Sequence, residues 1–204
     1  MTDLAANEIH VYSISLKAAP DPSLLSSDEQ IRAARFRYAE DRERYVAAHA
    51  GLRRVLSGYL GAPAGALQFF GGPHGKPYIS GSRLQFNLSY SGDLALAAVC
   101  QTETGVDIER ARSNFDVLRL ASRFLSPAED ATLQLLPADE RHEAFLRLWT
   151  RKEAALKALG CGLEGLSRDI SGVHILDVAL ESGYLAAVAV LQPGTWLLKL
   201  CGGA

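Results

Sequence analysis

A short internal echo is the feature that most constrains how this chain can fold. Residues 91–99 (SGDLALAAV) return 91 positions later as residues 182–190 (SGYLAAVAV), with Ser, Gly, Leu, Ala, Ala and Val in register. Such an offset is expected of a chain built from two similar halves. Strands rich in Ala, Val and Leu also match one another by coincidence, so the echo alone leaves both explanations open.

The spacing of apolar residues predicts an antiparallel sheet and two long helical stretches. Helical spacing covers residues 27–60, with a break near residues 38–41. Ser126, Pro127 and Glu129 form a capping box that predicts a helix start, and a strong helix follows Pro137 and ends at Gly160. Strands are predicted over residues 9–16, 78–79, 84–88, 94–99, 105–109, 173–180, 184–191 and 195–200.

Composition excludes several classes of protein. The chain has 204 residues, of which 48% are hydrophobic and 22% charged, so it forms one globular unit or two small halves and is not a disordered tail. Lys and Arg number 21 against 23 Asp and Glu, so no global positive field attracts nucleic acid or an anionic membrane. No apolar run approaches the ~20 residues of a membrane helix, and no basic leader opens the sequence. We therefore expect a cytoplasmic protein.

Two acidic residues on one predicted strand are the first candidates for chemistry. Asp107 and Glu109 are two positions apart, so both carboxylates project from the same face while Ile108 points the other way. Paired carboxylates bind hard cations such as Mg²⁺, which keeps open positions for water and phosphate. Such a pair is also common as an exposed structural feature, so the motif alone does not show whether the two carboxylates bind a metal ion.

The helix that ends at Gly160 supplies a second group of candidates. Trp149, Glu153 and Lys157 recur at a spacing of four and share one stripe, with Lys152 adjacent. If the Glu153 carboxylate met the strand pair, a divalent ion would be needed to offset the repulsion. The alternative is an ordinary Glu153–Lys157 salt bridge with Trp149 packed in the core.

Two further stretches are polar enough to contact a ligand. Residues 86–91 (FNLSYS) either hydrogen-bond a phosphate or close a turn, and the turn is favoured when the stretch is judged alone. Residues 28–60 contain seven arginines, which on their own are typical of a solvated helix face with ion pairs. The sequence has no nucleophile-elbow, zinc-protease, Walker or dinucleotide-binding motif.

Taken in order, five motifs narrow these alternatives: GKP at 75–77, FNLSYS at 86–91, GVDIE at 105–109, FLSPAE at 124–129 and WTRKEAALK at 149–157. With GCGL at 160–163 after them, the ordered set resembles the Sfp-type 4′-phosphopantetheinyl transferases over residues 36–166. The resemblance implies an α/β fold of the α+β type, a pseudodimer whose halves each pack a small antiparallel sheet with a long helix. The halves would be residues 1–104 and 105–204, with the active site between them. A monomer is the economical expectation, because the second half supplies what a symmetric partner would.

The resemblance also implies a reaction. Family members transfer the phosphopantetheine arm of coenzyme A to a serine of an acyl or peptidyl carrier protein, using Mg²⁺ and releasing adenosine 3′,5′-bisphosphate. The implied metal ligands are Asp107, Glu109 and Glu153, and the implied catalytic residues are Glu153 as the base, Lys157 and Asp107. The implied contacts to coenzyme A are Arg32, Arg44, Lys76, Ser89, Tyr90, Lys152 and Lys157.

Tyr90 departs from the family pattern, which usually has histidine there. A phenol donates one hydrogen bond to a phosphate but brings no positive charge, so we expect Arg44 and its neighbours to compensate. Two alternatives remain: a Mg²⁺-dependent phosphohydrolase that uses the same carboxylates, and a relative that binds coenzyme A or a carrier without turnover. The Arg-rich residues 32–54 are a candidate surface for an acidic carrier protein.

Overall fold

The computed structural model describes residues 2–165, 170–181 and 183–202 and has a mixed α+β fold with small sheets. The helices are α1 (Ser27–Ala34), α2 (Ala39–Leu60), α3 (Val117–Phe124), α4 (Pro127–Leu135) and α5 (Arg141–Leu159). The strands are β1 (Glu8–Ser15), β2 (Phe70–Gly71), β3 (Pro77–Tyr78), β4 (Gln85–Ser91), β5 (Leu94–Cys100), β6 (Thr104–Arg110), β7 (His174–Asp177), β8 (Tyr184–Val190) and β9 (Leu197–Cys201). Within these ranges, no helix combines the length and apolar composition needed to cross a bilayer.

Two main sheets and a short hairpin organise the described part of the chain. The first sheet has the order β4-β5-β1-β9, in which β5 is antiparallel to both neighbours and β9 is parallel to β1. The second has the order β6-β8-β7 and is antiparallel, and β2 pairs with β3. Because β9 joins β1, residues from both predicted halves share the first sheet. The echoing segments become β5 and β8, the central strands of the first and second sheets; Ser182 lies outside the described residues.

Local signals set the helix ends as the sequence predicts. Capping boxes start α1 at Ser26 and α4 at Ser126, where each serine oxygen accepts a hydrogen bond from the backbone of a glutamate three residues later. A break between α1 and α2 is present as predicted, but it lies at residues 35–38, earlier than the expected 38–41, because α2 already begins at Ala39. Gly160 ends α5 in the left-handed conformation, with φ of 63°. The sequence pattern missed α3, which the side chain of Asp116 caps.

Each long helix covers one sheet, but the two contacts differ in the size of the side chains. Helix α2 packs large residues such as Leu52 and Leu56 against the first sheet. Helix α5 packs alanines against alanines of β8. Gly105 of β6 lies so close to α5 that a Cβ there would be 2.1 Å from the Ala154 carbonyl oxygen. This backbone approach brings the side chains of α5 next to the polar face of β6.

Candidate active site

A ladder of side-chain hydrogen bonds joins β4 of the first sheet to β6 of the second. Three alternate residues of β4 point at β6, because successive side chains of a strand face opposite sides. The Asn87 amide oxygen accepts from the Val106 backbone N–H (3.0 Å), and the Ser89 hydroxyl donates to Oδ1 of Asp107 (2.8 Å). The Ser91 hydroxyl donates to Oε2 of Glu109 at 2.9 Å. We call this β4–β6 ladder the seam. The prediction of a turn over residues 86–91 is wrong, because this stretch lies in β4.

Lys157 reaches the seam from α5. Its Nζ donates to Oδ1 of Asp107 at 2.6 Å, to the Ser89 oxygen at 3.0 Å and to the Val106 carbonyl at 3.2 Å. These three acceptors match the three donors of an ammonium group. The predicted Glu153–Lys157 salt bridge is absent among the described residues, because Lys157 pairs with Asp107 instead.

The carboxylates of Asp107, Glu109 and Glu153 are buried or half-buried and influence one another. Asp107 is only 5% exposed, and its Oδ2 is buried without a hydrogen-bond partner. Burial raises the pKa of Glu109, and the neighbouring Asp107 charge raises it further, against the hydrogen bond from Ser91. Burial also raises the pKa of Glu153; the Lys157 charge lowers this pKa, while Asp107 and Glu109 raise it. The three carboxyl groups that sequence reasoning selected are therefore close enough to interact electrostatically.

These residues fit a divalent cation by their chemistry. Within the described residues, no three His, Cys, Asp or Glu side chains already lie close enough together to hold a metal ion. However, the unpaired Oδ2 of Asp107 is a buried acceptor without a donor, and the Lys157 ammonium contacts the other oxygen of that carboxylate, Oδ1. Carboxylate oxygens are the ligands that Mg²⁺ prefers, and a cation here would favour their ionised forms.

Two other residues of the α5 motif point away from the seam. Trp149 packs in the core, with its ring centre 5.0 Å from that of Phe124 and 6.2 Å from that of Phe145. The alternative in which Trp149 is a core residue is confirmed. The Lys152 ammonium donates to the Phe124 carbonyl at 2.7 Å and so binds the C-terminal end of α3. A contact between Lys152 and coenzyme A therefore stays a prediction.

A cavity of about 390 Å³ lies on the other side of β4, and we call it the basic pocket. Arg32 of α1 and Tyr90 of β4 both line it, beside the aromatic residues Tyr45, Phe69 and Phe70. The Arg32 guanidinium lies 5.7 Å from the centre of the Tyr45 ring, and within the described residues it makes no ion pair. Burial raises the pKa of Tyr90, so the phenol stays a neutral hydrogen-bond donor. The pocket thus combines a cation, a donor and aromatic faces, and the carboxylates of Asp28 and Glu29 also line it.

Arg44 does not line the basic pocket. Its guanidinium contacts Glu40 at 2.7 Å, Asp93 at 3.7 Å and Asp41 at 3.9 Å. Arg32, not Arg44, is the arginine that lines this cavity together with Tyr90, and compensation for Tyr90 by Arg44 and its neighbours stays a prediction.

Lys76 lies at the tip of the β2–β3 hairpin and reaches across to α5. Its Nζ donates to Oε2 of Glu103 at 2.5 Å and to the Ala158 carbonyl at 3.1 Å. It borders a second cavity of about 660 Å³, and Gly71 and Pro77 of the hairpin line both cavities. The hairpin therefore separates two open spaces, and Lys76 holds it against the C-terminal end of α5.

Comparisons with known proteins decide which family this arrangement represents. The family models described as "4'-phosphopantetheinyl transferase, N-terminal" and "4'-phosphopantetheinyl transferase superfamily" match residues 18–102 and 103–198. Over 222 residues the chain is 41% identical to the 4'-phosphopantetheinyl transferase HetI of Nostoc sp., covering 95% of this chain and 93% of that protein. This chain belongs to the 4′-phosphopantetheinyl transferase family.

Other members of the family match over shorter stretches. The transferase is 30% identical to 4'-phosphopantetheinyl transferase Sfp of Bacillus subtilis over 142 residues, 69% of this chain and 62% of Sfp. It is 38% identical to 4'-phosphopantetheinyl transferase AcpT of Escherichia coli O157:H7 over 121 residues, 58% of each chain. The resemblance to Sfp-type enzymes is thus confirmed.

Sequence reasoning about this transferase missed two residues that build its site. Asn87 anchors the seam, and the period-two pattern of polar residues over 87–91 could have revealed a strand facing a polar partner. Gly105 was read only as part of a motif, although a glycine between two buried strand residues often marks a close backbone approach.

Proposed function

We propose that this transferase moves the 4′-phosphopantetheine arm of coenzyme A to a serine of an apo acyl or peptidyl carrier protein. The products would be the holo carrier and adenosine 3′,5′-bisphosphate. One observation supports this most directly: the acidic seam and the basic pocket lie on the two sides of the same strand, β4. A substrate with a phosphorylated nucleotide at one end and a reacting pyrophosphate in the middle needs both kinds of surface.

The basic pocket suits the nucleotide end of coenzyme A. The Arg32 guanidinium and the Tyr90 hydroxyl supply a positive charge and a hydrogen-bond donor for a phosphate. Phe69 and Phe70 line the same cavity and offer faces against which a base can stack. Ser89 and Lys76 were also expected to contact coenzyme A; Ser89 is engaged with Asp107 and Lys76 with Glu103, so both would have to exchange these partners.

The seam suits the pyrophosphate and the chemistry. Asp107, Glu109 and Glu153 would hold Mg²⁺, which would offset the charge of the pyrophosphate oxygens. The Glu153 carboxylate would accept the proton of the attacking carrier serine, and a bound cation would keep it in the ionised form that a base needs. The Lys157 ammonium, which already reaches Ser89 and Asp107, would stabilise the charge that develops on the leaving phosphate.

The overall organisation we infer is a monomeric pseudodimer with halves near residues 1–104 and 105–204. Its support is that the echoing segments form the central strands β5 and β8, and that each sheet is covered by one long helix. The seam then lies where the first and second sheets meet, which is where a site shared by two halves is expected.

Intact-protein mass spectrometry tests the proposed reaction. An apo carrier protein is incubated with the transferase, coenzyme A and Mg²⁺, alongside an EDTA control and the variants Asp107→Ala and Asp177→Ala. Asp177 is a matched control, because it is an aspartate of the second sheet whose carboxylate pairs with Arg151 at the surface. We expect the carrier to gain one phosphopantetheine, and EDTA and Asp107→Ala to abolish this gain while Asp177→Ala does not.

Other outcomes identify the alternatives. Release of adenosine 3′,5′-bisphosphate without modification of carriers from several pathways would replace the transferase by a phosphohydrolase. Absence of both products, with coenzyme A still bound, would indicate a binding-only relative.

A further inference from the structure

Beneath the basic pocket lies a buried charge that the proposed reaction does not use. The Arg53 side chain is fully buried in α2, although it carries a guanidinium group. Its Nε and Nη2 approach Oε2 of Glu29 at 2.8 and 2.7 Å, and its Nη1 donates to the Ala64 and Leu67 carbonyls at 3.0 and 2.9 Å. Arginines are almost never buried in this way unless they are paired.

Glu29 connects this charge to α1. Its Oε2 accepts the Ser26 backbone N–H at 2.8 Å, which completes the capping box of α1, and its Oε1 contacts Nδ1 of His49 at 3.2 Å. Burial opposes ionisation of Glu29, but the bonds from His49 and Ser26 and the Arg53 charge lower its pKa to about 2. The carboxylate is therefore charged throughout the physiological range and ties α1 to α2.

Arg53 also fixes the segment that leads into the β2–β3 hairpin. Its guanidinium lies over the Phe69 ring, 4.5 Å from the ring centre, in addition to its two bonds to the carbonyls of the preceding turn. Phe69 and the next residue, Phe70, line the basic pocket. One side chain thus contacts three walls of this cavity: α1 through Glu29, α2 directly, and the segment before the hairpin.

We propose that Arg53 and Glu29 are positioning residues that set the distance between Arg32 and the aromatic wall of the basic pocket. This inference rests on the proposed function, in which the pocket takes the phosphorylated nucleotide end of coenzyme A. Arg32 is three residues after Glu29 on α1, so a rotation or shift of α1 moves its guanidinium. A binding site loses affinity when the residues that support its contacts no longer hold them in place.

The neighbouring residue supplies a matched control. Arg54 is also an arginine of α2, but its side chain is half-exposed and pairs with Asp21 at 3.3 Å on the surface. Exposed ion pairs of this kind contribute little, whereas loss of one partner from a buried pair leaves an unpaired charge. Arg53→Met and Arg54→Met therefore remove the same group from a supporting and a non-supporting position.

The test measures nucleotide binding and separates an effect on KM for coenzyme A from an effect on kcat. For the full chain, calorimetry gives the Kd of adenosine 3′,5′-bisphosphate, and carrier modification gives kcat and KM for coenzyme A. We expect Arg53→Met to raise the Kd and the KM about tenfold, with kcat within about twofold, because contacts to the nucleotide are weakened and the seam is not. Arg54→Met should leave the Kd of adenosine 3′,5′-bisphosphate and the KM for coenzyme A unchanged.

A second variant covers the case in which Arg53→Met does not fold. Glu29→Gln keeps an oxygen that can cap α1 but removes the charge, and glutamine is accepted at this position of a capping box. We expect the same rise in Kd, and partial rescue in Arg53→Lys. An unchanged Kd and KM in both Glu29→Gln and Arg53→Lys, with only the melting temperature lowered, would overturn the positioning role alone. No binding of the nucleotide by the unchanged transferase would overturn the proposed function as well.

Discussion

The seam and the basic pocket lie on opposite sides of β4, and they are held together by different means. In the seam, the acidic groups are positioned by strand register: alternate residues of β4 meet alternate residues of β6. In the pocket, the cation lies on α1, a helix of only eight residues, and is positioned by packing and one buried ion pair. We therefore expect the pocket to be the more sensitive of the two to replacement of single side chains.

The two regions also differ in charge balance. Asp107 is buried and Glu109 and Glu153 are half-buried, and Lys157 is in direct contact with Asp107 alone, so this group of side chains has an excess of negative charge. In the pocket, Arg32 makes no ion pair within the described residues; of the two carboxylates in the lining, Glu29 is engaged with Arg53 and His49, and Asp28 is exposed. The repulsion between its carboxylates therefore destabilises the seam until a cation binds or a carboxylate is protonated, whereas the Arg32 charge in the pocket favours binding of an anion.

Replacement of the base in the seam should have the largest effect. Glu153→Gln is expected to reduce carrier modification by roughly 10²–10⁴-fold, the usual contribution of a general base. Because the pKa of Glu153 is raised above its ordinary value of 4.5, its contribution to stability is lost as the pH rises through the folded-state value. The variant should therefore be more stable than the unchanged protein at neutral pH without metal, and the gain should vanish below about pH 4.

Thermal unfolding in EDTA at several pH values measures this gain in stability. Glu143→Gln is the matched control, because Glu143 is an exposed glutamate of the same helix that pairs with Arg147 at 3.1 Å. A Glu153→Gln protein that melts below the unchanged protein at neutral pH would contradict the charge excess of the seam.

Separation of the seam from α5 should have the next largest effect. In Gly105→Ala, the added Cβ would lie 2.1 Å from the Ala154 carbonyl and 2.4 Å from the Ala158 nitrogen, so strand and helix must move apart. Overpacking of this kind costs about 1–3 kcal/mol in the free energy of unfolding. It should also lower kcat more than it raises KM, because α5 supplies Glu153 and Lys157.

Denaturant unfolding and steady-state kinetics check this expectation. Gly172→Ala is the control, since a Cβ at Gly172 meets no atom within 4 Å. If Gly105→Ala kept both the stability and the kcat of the unchanged protein, the close approach of β6 to α5 would have no role in catalysis.

The sequence predicted the seam residues better than the pocket, for a physical reason. Period two on a strand places Asp107 and Glu109 on one face, and helical spacing places Glu153 and Lys157 on one stripe, both of which are local rules; their role in a site is implied by the family resemblance. The capping box predicted at Ser126 is a local signal as well, and α4 begins there; the structure shows a second one at Ser26. Such patterns are determined by residues a few positions apart.

The pocket depends on contacts between distant parts of the chain, which no local pattern encodes. Arg53 pairs with Glu29, 24 residues earlier, and Lys76 reaches Ala158, 82 residues later. Arg32 and Arg44 were equivalent basic candidates on sequence grounds, yet one faces the cavity and the other pairs with three acidic groups. The pairing of β9 with β1 was likewise outside the reach of the apolar pattern.

The contrast between two arginines sharpens the comparison on the pocket side. Arg32→Met removes the cation that lines the cavity and should raise the Kd of coenzyme A about tenfold, the loss expected for a charge-assisted hydrogen bond to phosphate. Arg44→Met should change the Kd by less than about twofold, because its charge is shared with acidic neighbours at the surface. Calorimetry on both variants measures the two Kd values. A larger effect in Arg44→Met than in Arg32→Met would assign the phosphate contact to Arg44.

The smallest expected effect concerns Tyr90. Tyr90→His should keep or tighten coenzyme A binding, since a protonated imidazole adds charge at a position that also faces the Arg32 cation. An ordinary histidine pKa near 6.5 predicts that the gain, about two- to fivefold, is present at pH 6 and lost by pH 8. Calorimetry at both pH values measures this gain.

Clear loss of binding at either pH would show that the phenol itself contributes, through its donated hydrogen bond or through packing in the pocket. The pocket would then bind its ligand through a neutral hydrogen-bond donor as well as through Arg32. The two sides of β4 would differ in the kind of contact they make, and not only in the sign of their charge.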